Sequence, residues 1–192
     1  PIARVAGMSN RAFERRMIEN GPRNGAWMDV ETDTHVQGMV EFASGAIGSI
    51  TMSFDVWDSE MPRFEIYGTN GTICIPDPDP VYGANRFEGE VWIRTRETSR
   101  WSHQPRPTGR DNWQVAKNAH GINEDSRGVG LVEMADAIRH GRTPRCSGEL
   151  AYHVLEAMTG ILNSPTQGRF VDIKSRPTVP DIMPEQFSEA TR

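Results

Sequence analysis

"THVQGMVEFASGAIGSITMSF", residues 34–54, alternates large and small side chains around a single glycine-containing turn. A two-residue loop at Ser44-Gly45 sets Val40 opposite Ser49 and Val36 opposite Ser53, which is poor pairing. A three-residue loop, Ala43-Ser44-Gly45, does better. Phe42 then meets Ala46, Val40 meets Gly48, Gly38 meets Ile50 and Val36 meets Met52, so large residues face small ones on one surface. Gly45 takes the left-handed position that such a loop requires. The reverse face holds His35, Gln37, Met39 and Glu41 against Ser53, Thr51, Ser49 and Ile47, which makes His35 a sheet-surface residue.

A second hairpin follows in "RFEIYGTNGTICIPDPDP", residues 63–80. Asn70-Gly71 is a strong two-residue turn signal, because both residues tolerate positive φ. That turn sets Thr69 opposite Thr72, Gly68 opposite Ile73 and Ile66 opposite Ile75. Phe64 joins the apolar face, while Glu65, Tyr67 and Cys74 occupy the other. Asn70-Gly71-Thr72 also spells a glycosylation acceptor, but nothing suggests secretion and it reads as a plain turn. Asp77-Pro78-Asp79-Pro80 ends the strand, because proline supplies no ladder N–H.

Around these hairpins, residues 1–76 read as strands near 2–8, 12–18, 26–31, 34–43, 46–56, 62–69 and 72–76, with a turn cluster at 19–25. Residues 90–95 form another strand. Residues 96–124 are polar and irregular, with Trp101, His103, Trp113 and His120. Two amphipathic helices follow. The first buries Leu131, Met134, Ala135 and Ile138, with Asp136 paired to His140 and Gly141 at its end. The second starts at an N-cap, Ser147, with Glu149 favoured by the helix dipole. Its core face is Leu150, Val154, Ala157, Met158 and Ile161, which leaves His153 solvated, as is His140. A short strand at 169–173 and a Pro-rich tail close the chain. The order predicts an α+β fold: an open, predominantly antiparallel sheet with two C-terminal helices packed on one side. Residues 1–175 form the domain and 176–192 are a tail belonging to it.

Composition narrows the function. The 192 residues carry a net charge of −5, which argues against a nucleic-acid partner. No apolar run has the length of a membrane span, and no signal peptide is visible. Cys74 and Cys146 read as free thiols of a reducing compartment, so a cytoplasmic location is expected. The chain begins at Pro1 almost directly in strand-like alternation and reads as a piece of something longer. There is no P-loop, HExxH, GxSxG or CxxC. "GVGLVE" at 128–133 lacks the third glycine and the preceding strand of a dinucleotide fingerprint. Asp33 and His35 share a strand face but lack a third ligand, so no metal site is assigned. Asp77 and Asp79 lie in a rigid turn and are left unassigned as well.

"THVQGMVEFASGAIGSITMSFDVW", "RFEIYGTNGTICIPDPDP" and "NEDSRGVGLVEMADAIRHGRTPRCSGELAYHVLEAM" together resemble the C-terminal domain of the Gfo/Idh/MocA oxidoreductases, the glucose-fructose oxidoreductase and inositol dehydrogenase family. The likeness runs from about residue 1 to 180 and rests on the order and spacing of these segments. It implies an N-terminal Rossmann domain, absent from this chain, that binds NAD or NADP. It also implies a C-terminal α+β domain that walls the active site and builds a homo-oligomer, here a dimer, through its sheet face. Hydride then passes between the nicotinamide and a sugar or polyol. The family's lysine lies in a Glu-Lys-Pro motif, whereas Lys117 stands in "VAKNA" and Lys174 in "DIKSR". The family's Asp/His helix would lie upstream of Pro1. No catalytic, cofactor-binding or metal-binding residue is therefore carried over, and the fragment alone is expected to bind no cofactor and to be inactive.

In the family, the loop before the "IYG" strand reaches the sugar site. The matching "DVWDSEMPR" offers Trp57, Asp58 and Glu60, and "AHGINEDSRG" offers His120, Asn123 and Arg127. An aromatic ring beside polar groups suits a sugar. Arg127 is unfavourably placed against the helix dipole, which suggests a carboxylate partner. The alternative is a non-enzymatic assembly or glycan-binding module using Trp57, Trp92, Trp101 and Trp113.

Overall fold

A computed structural model of the chain describes residues 1–57, 64–75, 90–95, 113–116 and 128–184. They fall into two compact units, one within Pro1–Asp58 and Asp136–Asp181, the other within Ser59–Ala135 and Ile182–Arg192. The fold is α+β with antiparallel pairing throughout the described strands, as the sequence predicts.

In the first unit, β1 (Ile2–Asn10), β4 (His35–Phe42), β5 (Ile47–Ser53) and β10 (Val171–Asp172) form a sheet in the order β10-β1-β4-β5. β2 (Arg15–Met17) and β3 (Trp27–Asp29) form a separate two-stranded ribbon. The β4–β5 register is the expected one: Val36 faces Met52, Gly38 faces Ile50 and Val40 faces Gly48. The Phe42 amide donates to Ala46 O at 2.8 Å, and Gly45 turns the chain at φ +86°.

Helix α2 (Gly148–Gln167) covers one face of this sheet. Its N-cap is Ser147, whose hydroxyl accepts from the Leu150 amide at 3.2 Å, and Gly168 ends it at φ +61°. Val5, Ala157, Ile161 and Ile173 form the buried core, with Ile2, Val36, Val40 and Val171 against it. The approach depends on glycine. Gly7 and Gly38 stand directly opposite each other in β1 and β4. A Cβ on Gly7 would lie 2.5 Å from Ile161 Cγ2, and one on Gly38 would lie 3.0 Å from Ile161 Cδ1. Gly160 presents the matching gap on the helix, where a Cβ would meet Val5 Cγ2 at 2.8 Å.

This geometry corrects the expected helix face. α2 buries His153, Ala157, Gly160, Ile161 and Ser164, while Val154 and Met158 face outward. Small residues are selected because the helix lies so close to the sheet. His153, expected in solvent, is 3 % exposed. Its Nε2 accepts from the Ile2 amide at 2.9 Å, so the ring is neutral with its proton on Nδ1, within 2.7 Å of Ser175 Oγ. Ser175 Oγ in turn donates to Glu156 Oε2 at 2.5 Å. Glu156 also accepts from the Lys174 and Ser175 amides, at 2.9 and 3.0 Å. These bonds, led by the Ser175 hydroxyl, lower the Glu156 pKa to about 2.

The second unit holds β6 (Phe64–Gly68), β7 (Gly71–Ile75), β8 (Trp92–Thr95) and β9 (Gln114–Val115), in that order in one sheet. The β6–β7 turn differs from the expected one. Gly68 pairs with Gly71 and Ile66 with Ile73, so the turn is Thr69-Asn70, and neither residue has positive φ. Gly71 is recruited into the ladder instead, because a Cβ there would sit 2.3 Å from Arg94 O on β8. The shift is two residues in pairing, so Phe64, Ile66, Ile73 and Ile75 keep a common face. β9 falls within the stretch read as irregular. Helix α1 (Val129–Arg139) carries the expected Asp136–His140 pair at 3.0 Å, and Gly141 follows at φ +64°. Its expected core face is not the buried one. Glu133 and Ala137 are buried, whereas Leu131 and Ile138 are 73 % and 71 % exposed.

Gly7→Ala is expected to cost about 1–3 kcal/mol in urea unfolding, the usual cost of overpacking a tight contact. Gly48→Ala, whose Cβ would meet only the Phe42 ring at 3.8 Å, should stay within about 0.5 kcal/mol of the parent. Equal effects would contradict the notch. A depressed carboxylate pKa stabilises the fold above its unfolded value and ceases to do so as pH falls through the folded one. The Glu156 contribution is therefore full above the ordinary glutamate value of 4.5 and lost towards about 2. Glu156→Gln should lower stability at neutral pH and flatten the acid limb of the profile between those values.

Candidate functional site

A pocket of about 430 Å³ lies in the first unit, between the β2–β3 ribbon and the chain leaving β5. The ribbon is positioned by its own sequence. Gly21 and Gly25, at φ +71° and +83°, take the turn after β2, and Pro22 opens its 3₁₀ segment, Gly21–Arg23. Ile18 N–H donates to Ala26 O at 2.8 Å and Val30 N–H to Glu14 O at 2.8 Å, which close the ribbon at both ends. Arg15 then faces Asp29, and Met17 faces Trp27.

The chemistry of the pocket centres on an ion pair. Arg16 Nη2 donates to Asp55 Oδ1 and, at 2.7 Å, to Phe54 O. The Asp55 side chain is 10 % exposed, and its second oxygen accepts from Thr34 Oγ1 at 2.6 Å. The Thr34 hydroxyl is the main influence holding the Asp55 pKa below the usual carboxylate value. Burial opposes it, and the Arg16 guanidinium reinforces it. Ser53 extends the chain of contacts: its Oγ accepts from the Asp55 amide at 3.0 Å and lies 2.9 Å from His35 Nδ1. Arg16 also stacks over Phe13, with 5.3 Å from Cζ to the ring centre, and Arg15 lies over Trp27 at 6.0 Å while pairing with Asp29 at 3.1 Å. Arg16 Nε is buried without an acceptor among the described residues.

Of the residues named from sequence, Trp57 lines this pocket and is 95 % exposed. Asp58, Glu60, His120, Asn123 and Arg127 lie outside the described residues, as do Asp77 and Asp79. Trp92 belongs to β8, opposite Cys74 and Val115, and Trp113 directly precedes β9; Trp101 lies outside the described residues. Asp33 accepts from Ser9 Oγ at 2.5 Å, and His35 contacts Ser53, so the two are engaged separately. Among the described residues no cluster of three metal-ligating side chains occurs. Sequence reasoning missed Phe13, Arg16, Trp27 and Asp55. Phe13 and Arg16 before the 19–25 turn cluster and Trp27 after it share a strand-like pattern, whereas Asp55 has no local signal.

Asp55 is expected to titrate below an ordinary aspartate, whose pKa is about 3.9. Thr34→Val and Arg16→Gln should each raise its pKa, by carboxyl carbon NMR. An unchanged Asp55 titration in Thr34→Val would contradict this account of the pocket floor.

The GFO/IDH/MocA C-terminal domain family matches the sequence over residues 1–74. No curated protein matches the chain. Among solved structures, a levoglucosan dehydrogenase in complex with NADH and L-sorbose is 21 % identical, with a TM-score of 0.61 over 91 % of this chain. An NAD binding oxidoreductase from Klebsiella pneumoniae is 19 % identical, with a TM-score of 0.64 over 91 %. An aldose-aldose oxidoreductase from Caulobacter crescentus is 17 % identical, with a TM-score of 0.56 over 89 %. The chain spans 46 %, 46 % and 41 % of these three proteins, respectively. At such identities the likeness is one of fold. The chain is thus similar to the GFO/IDH/MocA C-terminal domain in sequence over residues 1–74, and to these oxidoreductases in fold over nine-tenths of its length.

Proposed function

We propose that this chain is the C-terminal substrate-binding and oligomerisation domain of an NAD(P)-dependent oxidoreductase acting on the CH–OH group of a sugar or polyol. The observation that carries the reading is the pocket on the matched segment, where Trp57, Trp27 and Phe13 surround a fixed Arg16–Asp55 pair. Apolar ring faces with a few placed polar groups are what a sugar needs. Levoglucosan dehydrogenase complexes with L-sorbose and with levoglucosan, which are similar in fold, agree with that class.

The described residues do not fit a nicotinamide dinucleotide. The cradle for one is a parallel βαβ unit with a glycine-rich turn, whereas every described strand pairing is antiparallel. Gly128 and Gly130 open α1 without a described strand immediately before them. On this reading the cofactor is held by a Rossmann domain outside this chain, and the chain alone is inactive. Residues 1–175 form the domain and 176–192 its tail. No described helix is long and apolar enough to cross a membrane. Cys74 and Cys146 form no disulfide among the described residues, which suits a reducing cytoplasm.

Oligomerisation uses the sheet face opposite α2. Met8, Met39 and Ile47 stand exposed there among polar neighbours, with the Arg4–Glu41 pair at 2.7 Å beside them. A mixed face of this kind suits a homodimer.

The gene product that includes the residues encoded upstream of Pro1 should reduce NAD or NADP with levoglucosan or a related sugar, while the 192-residue chain alone should not. Turnover by the chain alone, or none by the longer product with any sugar or polyol, would contradict the reading. In light scattering the chain should run as a dimer at micromolar concentration, and Met39→Arg should shift it towards monomer.

A further inference from the structure

We infer that the pocket beside the β2–β3 ribbon takes a neutral carbohydrate ring rather than a phosphorylated or carboxylated one. This inference rests on the sugar reading above and narrows it.

Charge decides the point. Each of the two cations at the pocket already has a carboxylate partner from the chain itself: Asp29 for Arg15 and Asp55 for Arg16. The Asp55 carboxylate is held ionised by Thr34 and by Arg16, so its neutralisation of Arg16 is built in. Glu19, also at the pocket, is left over as a negative charge. A phosphate or carboxylate entering here meets no cation whose charge is not already balanced by a carboxylate, and it faces Glu19 as a further negative charge. An anion site is built the other way, with arginine forks free to bind both ligand oxygens.

A neutral ring meets suitable partners instead. Its C–H faces can stack on Trp57 and Trp27, both largely exposed. Its hydroxyls both donate and accept. Asp55 and Glu19 offer acceptors, and Arg16 keeps donor capacity, because only its Nη2 is engaged by described acceptors and Nε has none. A buried donor without a partner is unfavourable, and a ligand oxygen that draws the guanidinium towards it relieves that. The pocket volume of about 430 Å³ lies in the range of small-ligand sites.

The test uses the ¹⁵N-labelled 192-residue chain and its tryptophan indole resonances, with Trp27 and Trp57 assigned by single substitution. Methyl β-D-glucopyranoside should shift both signals saturably, with millimolar affinity. Glucose 6-phosphate and glucuronate should bind about tenfold more weakly, a difference that uncommitted arginines would reverse. Trp57→Ala should weaken the neutral glycoside several-fold without unfolding the chain, since that ring is almost fully exposed. Asp55→Asn should free Arg16 and raise glucuronate affinity about tenfold, a gain that misfolding cannot mimic. Tighter binding of the anionic sugars by the parent chain would overturn the inference. So would neutral-glycoside shifts that survive Trp57→Ala, or the absence of any saturable shift. The dehydrogenase assay of the longer gene product is independent: turnover of a sugar phosphate there would sink the neutral-ring inference and leave the oxidoreductase reading intact.

Discussion

The seating of Ile161 over the facing pair Gly7 and Gly38 is the constraint on which the first unit depends. Two strands that carry hydrogen in place of side chains at one cross-strand position leave a notch, and a helix can come closer to the sheet there than side chains normally allow. Gly160 repeats the device from the helix side, against Val5. Once α2 is that close, every other residue of its inner face must be small or must find a polar partner. Ala157 and Ser164 meet the first demand, and Ser164 Oγ also donates to Arg169 O at 2.9 Å. His153 meets the second, because Ile2 and Ser175 occupy both ring nitrogens. The start of β1, the middle of α2 and the segment after β10 are thereby tied into one cluster.

The same sheet positions the pocket. β1 and β4 continue past the notch into Asn10 and Thr34, where the Thr34 amide donates to Asn10 O at 2.9 Å. Thr34 then holds the next strand's exit in two ways: its carbonyl accepts from Phe54 N–H at 2.8 Å, and its hydroxyl binds Asp55. Asp55 fixes Arg16, and Arg16 fixes the ribbon. The pocket floor is thus connected, bond by bond, to the core beneath α2, while Trp57 at the pocket edge is exposed. That division suits a site that must hold polar geometry while accepting a ring from solvent.

Legibility in the sequence followed how local each determinant was. The β4–β5 register could be read because large-small alternation and the Gly45 turn both lie within one hairpin. The caps Ser147 and Gly141 were legible for the same reason. The β6–β7 turn was misread because Gly71 serves a third strand: the carbonyl of Arg94 occupies the space a side chain would need, and no local rule reports that. The α2 face is not legible from hydrophobicity, because closeness to the sheet selects glycine, alanine, serine and a twice-bonded histidine over Val154 and Met158. The pocket was legible only at Trp57. Its other members meet through the ribbon register and through the long-range bond from Arg16 to Asp55, which composition and spacing do not encode.

The central claim is that a sugar meets this chain at the Arg16–Trp57 pocket while the nicotinamide is held elsewhere. The most direct measurement is a crystal structure of the longer gene product with a nicotinamide cofactor and a neutral sugar bound. The account predicts the sugar ring stacked on Trp57 with a hydroxyl within hydrogen-bond distance of Arg16, and the cofactor bound by residues upstream of Pro1. A sugar bound away from both side chains, or a cofactor held by this chain's own strands, would contradict it.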